Sequence, residues 1–138
     1  MKETLAFQVL ILYRDFLAYT TGKLKEIGLS FGLMPLVLYT GKHPGCLQKE
    51  LREALHLDWG YSQRSIEKLV ETGFMTKEHE GNPSGNSLHL TERGEKAFQL
   101  CHTVFDDWDK LRTKDFTDEE KETLSSLLKK AGNTGLKI

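Results

Sequence analysis

A chain of 138 residues with a formal net charge of −1 and 38% apolar residues has the composition of one ordinary globular domain, not of a disordered segment. That balance excludes any global attraction to nucleic acid or membrane, so a polyanion site has to be a local patch. Cys46 and Cys101 fit neither a disulfide framework nor a metal spacing, which points to a reducing cytoplasm.

The opening "LAFQVLILY" is broken by Gln8 and ends at Arg14 and Asp15, short of the ~20 apolar residues of a membrane span. It also lacks the basic start and cleavage site of a signal peptide. It predicts instead a helix over residues 5–27, apolar on more than one face and ended by Gly28. Such a helix has to be buried by more than its own domain's core. A second apolar segment, 31–41, contains Pro35, which should start or kink it, and "KHPG" at 42–45 is a turn. Leu47, Leu51, Ala54 and Leu55 then follow helical spacing.

Asp58 is a good N-cap for the next helix, which Gly73 stops. After it the period changes. "FMTKEHE" and "SLHL" are strands separated by the turn cluster "GNPSGN", and so read as a hairpin. Thr91 opens a long helix with Ala97, Cys101, Val104, Trp108 and Leu111 on one packing seam. "FTDEEKETLSSLLKKA" is a last helix, with Thr117 and Glu120 as a capping box, acids in its first turn and lysines in its last. Residues 132–138 should form a loose tail.

The helix after Asp58 carries the functional signal. At 100° per residue, Trp59, Ser62, Ile66, Leu69, Val70 and Gly73 share one side, and Tyr61, Arg64 and Lys68 lie opposite, flanked by Gln63 and Ser65. Its first turns thus hold hydrogen-bonding side chains, Tyr61 to Ser65, where a merely structural helix could use Ala, Glu or Lys. Arg can read guanine, Gln can read adenine, and Tyr and Lys can hold phosphates. The helix N-terminus would itself favour a phosphate. The plainer alternative is a solvated face with Glu67 and Glu71 pairing Lys68. Residues 42–78 hold six Lys or Arg and six Asp or Glu, a weak basic footprint.

The order helix, helix, turn, helix, β-hairpin between long terminal helices is that of a winged helix-turn-helix. At this level the sequence resembles the MarR (multiple antibiotic resistance regulator) family of transcription regulators. "HPGCLQKELREAL" is similar to that family's turn and Gln-x-Glu-Leu helix, "LDWGYSQRSIEKLVETGFM" to its recognition helix, and "LHLTERG" to its second wing strand running into the next helix. The resemblance implies a mainly α fold with a small β-hairpin wing: a DNA-binding lobe over 29–90 and dimerisation helices over 1–28 and 91–131. It further implies a cytoplasmic homodimer on a palindromic double-stranded DNA site, acting as a repressor. Tyr61, Ser62, Gln63, Arg64, Ser65 and Lys68 would contact the major groove, and Asn82, Ser84 and Asn86 the groove beside the wing. The family's wing Asp-x-Arg is absent, its places taken by Asn82, Pro83 and Ser84. Arg52 also stands where the family has a small residue.

Some members of that family bind small aromatic or anionic effectors between the dimer helices and the lobe, and Tyr13, Phe16, Tyr19 and Trp108 are the candidates here. Their plainer reading is core or dimer packing. No Gly-rich phosphate loop, Gly-x-Ser-x-Gly or metalloprotease motif is present, so an enzyme, catalytic residues and a cofactor are not expected. His102 and Asp106 have ligand spacing, but a surface His beside Asp106, Asp107 and Asp109 is the commoner case, and no metal is expected. The alternatives left open are a winged-helix protein-interaction module without DNA binding, and a thiol- or metal-responsive regulator.

Overall fold

The computed structural model describes residues 3–79 and 85–138. Its first helix, α1 (Leu5–Lys25), starts where Thr4 Oγ1 accepts from Phe7 N at 3.2 Å, and buries only Thr20 and Leu24. A single 3-10 turn, Phe31–Leu33, leads into α2 (Met34–Lys42). Pro35 lies in the first turn of α2, where its missing N–H has no helical partner to lose, so it starts this helix without kinking it. The centre of the lobe is α2, with every residue from Leu36 to Thr40 buried.

Then come β1 (Cys46–Leu47), α3 (Gln48–Ala54), α4 (Trp59–Glu71), β2 (Met75–Glu78), β3 (Ser87–Leu90), α5 (Glu92–Arg112) and α6 (Asp118–Ala131). The expected hairpin is two-thirds of a three-stranded antiparallel sheet of order β1-β3-β2. Cys46 faces Leu88 across one ladder, and Met75 faces Leu90 across the other. The strand β1 was not expected because two residues show no period. It fastens the wing to the turn between α2 and α3.

Ile66 and Leu69 of α4, Leu51 of α3, Phe74, Leu88 and the inner face of α5 close the core around α2. Close approach fixes the seat of α5. A side chain at Gly94 would meet the Phe74 carbonyl, and one at Gly41 would meet the Phe98 ring. The predicted seam on α5 is buried at Ala97, Cys101 and Val104, but Trp108 is half-buried and Leu111 is 45% exposed. The far half of α5 therefore leaves the core, and α6 buries none of its residues. Its capping box forms as expected, Glu120 N to Thr117 Oγ1 at 3.1 Å and Thr117 N to Glu120 Oε1 at 2.9 Å.

The C-terminal segment has no regular structure and is exposed throughout, and its end touches the lobe. Lys137 N donates to Ala54 O at 3.0 Å, and Lys42 Nζ donates to Ile138 O at 3.0 Å. Ala54 ends α3, so its carbonyl has no helical donor and accepts one from the tail. No helix among the described residues is long and apolar enough to cross a membrane.

Candidate nucleic-acid interface

The helix α4 is set by local chemistry at both ends. Asp58 Oδ1 accepts from Tyr61 N at 2.8 Å, and Gly73, at φ +83°, supplies the left-handed residue that turns the chain after it. Ile66 and Leu69, fully buried, anchor its inner face. Tyr61, Arg64 and Lys68 lie exposed on the opposite face, as the helical wheel predicts. Arg64 folds back along the first turn: a Cβ on Gly60 would lie 3.1 Å from its Nη1. Among the described residues Arg64 forms no ion pair, so its guanidinium is available to a ligand.

The structure removes other residues from that face. Ser62 is 1% exposed and its Oγ donates to Trp59 O at 2.8 Å, so it is spent on its own helix. Ser65 is buried as well. Both lie close enough to the Ile66 side that the lobe covers them. Trp59 departs in the other direction. The wheel puts it with the core, but at the first position of α4 the core has ended, and the indole is 65% exposed.

Gln63 is half-buried and already engaged, since Gln48 Nε2 donates to its Oε1 at 2.8 Å. Gln48 also accepts at Oε1 from Asn86 Nδ2 at 3.4 Å, and its backbone N donates to Asn86 O at 3.0 Å. Asn86 is therefore buried at the wing's base and turned toward α3. Asn82 and Ser84 lie outside the described residues. Gln48 has no role in the sequence reading, though a Gln within an amphipathic helix that turns out buried is the kind of residue that has a partner.

Arg93 is the other residue the sequence left unassigned. It donates from Nη1 to Thr72 O at 2.6 Å and from Nη2 to Ile27 O at 3.0 Å, with its guanidinium 4.2 Å from the Phe74 ring centroid. One side chain from the first turn of α5 thus holds the end of α4 and the turn after α1. Beside it opens a groove of about 570 Å³ lined by Lys25, Glu26, Ile27, Phe74, Arg93 and Lys96, among others.

The expected effector residues do not line that groove. Phe16 fills the space between helices, with ring centroids 5.9 Å from Phe31, 5.5 Å from Phe105 and 5.3 Å from Trp108. Tyr13 packs edge-on against Phe31, and Tyr19 lies under Lys23. Trp108 Nε1 and Arg112 Nε both meet Asp15 Oδ2 at 2.9 Å, which pins α1 to α5. Phe16 and Trp108 thus join α1 to α5.

Burial pushes the thiols of Cys46 and Cys101 up to about 11, so both are held as the unreactive thiol. Among the described residues no three His, Cys, Asp or Glu are grouped as metal ligands. His102 donates from Nδ1 to Phe98 O at 2.8 Å, a contact within its own helix.

No family model matches the chain. It is 40% identical over 135 residues, 97% of this chain and 94% of the other, to the HTH-type transcriptional regulator BilQ of Clostridium symbiosum. Its fold is that of a MarR transcriptional regulator from Methanosarcina mazei, with a TM-score of 0.86, 25% identity, and 99% of this chain and 92% of that one covered. A Listeria monocytogenes protein described as a MarR-family regulator, solved in complex with a 26mer DNA, matches with a TM-score of 0.80 and 25% identity over 96% of this chain and 88% of its own. The relatives are regulators and not enzymes, and with that likeness running the length of a helix-turn-helix whose outward face is built as described, the chain belongs to the MarR family of transcription regulators.

Proposed function

We propose that the protein is a cytoplasmic repressor that binds a palindromic double-stranded DNA site as a homodimer, with α4 of each copy in a major groove. The observation that carries this reading is the exposed triad Tyr61, Arg64 and Lys68, standing off a helix whose other face is anchored by Ile66 and Leu69. Arg64 is the base reader in this reading, Tyr61 and Lys68 hold phosphates, and Trp59 packs against the backbone beside them. The DNA complex of the Listeria relative supports it.

Residues 1–28 and 91–131 form the dimer base, and 29–90 the lobe. Leu5, Val9 and Ile11 of α1 are each at least half exposed, as are Leu127 and Leu128 of α6, a quantity of apolar surface that calls for a partner copy. A dimer places its recognition helices about 34–36 Å apart when they read successive turns of one duplex face. A small aromatic or anionic effector that releases DNA would have room in the opening beside Arg93, where Lys25, Arg93 and Lys96 stand with Glu26. Such a compound must bind one spacing of the lobes more tightly than the other.

A mobility-shift assay with the DNA flanking the protein's own gene tests the reading. Retardation that survives excess unrelated duplex supports it. Absence of any shift, with the dimer intact by sedimentation, favours the protein-interaction module that the lobe's balanced charge would also suit.

A further inference from the structure

Gln48 is buried, 4% exposed, and its hydrogen bonds cross between elements. Its backbone N donates to Asn86 O at 3.0 Å, and its Oε1 accepts from Asn86 Nδ2 at 3.4 Å. Its Nε2 then donates to Gln63 Oε1 at 2.8 Å. The first residue of α3 is thus held by the base of the wing, and in turn holds a half-buried side chain at the edge of the outward face of α4.

We infer that Gln48 is a positioning residue for DNA recognition: it fixes the Gln63 side chain before DNA arrives, and the wing, through Asn86, fixes Gln48. This rests on the DNA-binding reading above. A Gln on an open helix face samples several rotamers, and ordering them on binding subtracts from affinity. Gln63 has part of that ordering done in the free protein. The contact leaves its recognition chemistry intact, since both N–H groups and the second lone pair of Oε1 remain for a ligand. Those are the groups that meet an adenine edge, and the N–H groups also suit guanine. Gln48 therefore acts on how sharply a base is read, not on which base.

Folding alone does not call for the bond between Gln48 and Gln63. Gln63 is only half-buried, and an apolar residue at 48 would carry no buried nitrogen to satisfy. Once Gln48 is buried its Nε2 needs an acceptor, and the one it has is on the recognition helix. Asn86, 6% exposed, closes the other side. A displacement of the wing base therefore reaches Gln63 through two side chains, without passing through the hydrophobic core.

The experiment selects bound duplexes from a randomised pool with the full-length protein and its Gln63→Ala, Gln48→Leu and doubly substituted variants. Gln63→Ala marks the half-site position that Gln63 reads. Gln48→Leu should weaken the preference at that same position about fivefold, the low end of one bidentate base contact, and leave the other positions as they were. In the double variant the preference there should be no weaker than in Gln63→Ala alone, because Gln48 acts through Gln63. A uniform loss of affinity from Gln48→Leu, or losses that add in the double variant, reports only a disturbed lobe and overturns the inference. Gln63→Ala that alters no position also overturns it, while the DNA-binding reading stands.

Nuclear magnetic relaxation of the side-chain amides in the DNA-free wild type needs no variant and separates the inference from the reading beneath it. The Gln63 NH2 should be nearly as ordered as that of buried Gln48, and far more ordered than that of exposed Gln99. A Gln63 as mobile as Gln99 overturns the inference whether or not DNA is bound. An ordered Gln63 in a protein that enriches no sequence overturns the DNA-binding reading, and the positioning role with it.

Discussion

In a single chain the outward face of α4 and the outward faces of α1 and α6 are both open to solvent, but their chemistry is opposite. The first shows Tyr61, Arg64 and Lys68 over a covered Ile66 and Leu69, with Trp59 the one strongly exposed apolar side chain at its start. The second shows Leu10, Ile11, Leu127 and Leu128, each at least half exposed. Water satisfies the polar face at no cost. The apolar face costs about 25 cal/mol for every Å² it leaves wet, so it is complete only when a partner covers it. Exposure therefore has two meanings in this molecule: a face kept open for a charged ligand, and a face left open for assembly.

The largest effect should come from breaking the second face. Leu127→Asp combined with Leu128→Asp places charges where the partner helix would pack, and sedimentation should show a monomer. With one recognition helix in place of two, DNA affinity should fall by ~100-fold or more through lost effective concentration alone. The lobe core is elsewhere, so its helical circular dichroism should persist. A variant that stays dimeric would place the interface off α6.

Breaking the first face gives the opposite signature. Arg64→Ala should weaken specific binding about tenfold, the scale of one bidentate base contact, and leave both the dimer and the melting temperature nearly unchanged. Lys68→Ala should weaken all sequences alike and make the salt dependence shallower, because a phosphate clamp releases counterions without reading bases. Arg64→Ala with undiminished binding would mean that the outward face of α4 is only solvated.

Arg93 joins the two regions and sharpens the comparison between them. Its removal strands the carbonyls of Thr72 and Ile27 at two chain ends. Arg93→Ala should destabilise by about 1 kcal/mol, at the low end for hydrogen bonds to a charged group because the side chain is exposed, and lower the melting temperature by several degrees. Dimerisation should be unaffected. Binding should weaken less than in Arg64→Ala, since α4 keeps its own core anchors.

The parts of this molecule that were legible in the sequence are those set by neighbours in the chain. Asp58 before α4, Thr91 before α5 and the Thr117 and Glu120 pair before α6 are side chains bonding backbone within three residues, and each forms as the sequence predicts. What escaped depends on distant partners. The strand β1 exists because Leu88 lies opposite Cys46, and Gln63 faces inward because Gln48 waits fifteen residues earlier. The helical wheel failed at Trp59, where the helix begins beyond the edge of the core, and at Ser65, which the lobe covers although the wheel puts it beside the outward stripe. Periodicity says which way a residue points along an infinite helix. It does not say where the core stops.

The smallest effect should come from the thiols, which belong to neither face. Cys101 is fully buried on the seam of α5, and Cys46 is buried in β1, opposite Leu88 of the wing. Burial raises both to about 11, so at pH 7 only about one molecule in ten thousand carries the reactive thiolate, a fraction that grows about tenfold with each unit of pH toward 11. Iodoacetamide should label the native protein slowly at neutral pH and rapidly once denaturant opens the core. Mild peroxide should leave DNA affinity within about twofold of its starting value, given that near-absence of thiolate. The location of Cys46 makes this a sharp test, because any adduct there would pry β1 from β3 and disturb the strand that carries Leu88 beside Asn86. If peroxide does reduce binding and Cys46→Ser abolishes the loss, the wing is under thiol control and the buried thiol is reached by opening of the sheet.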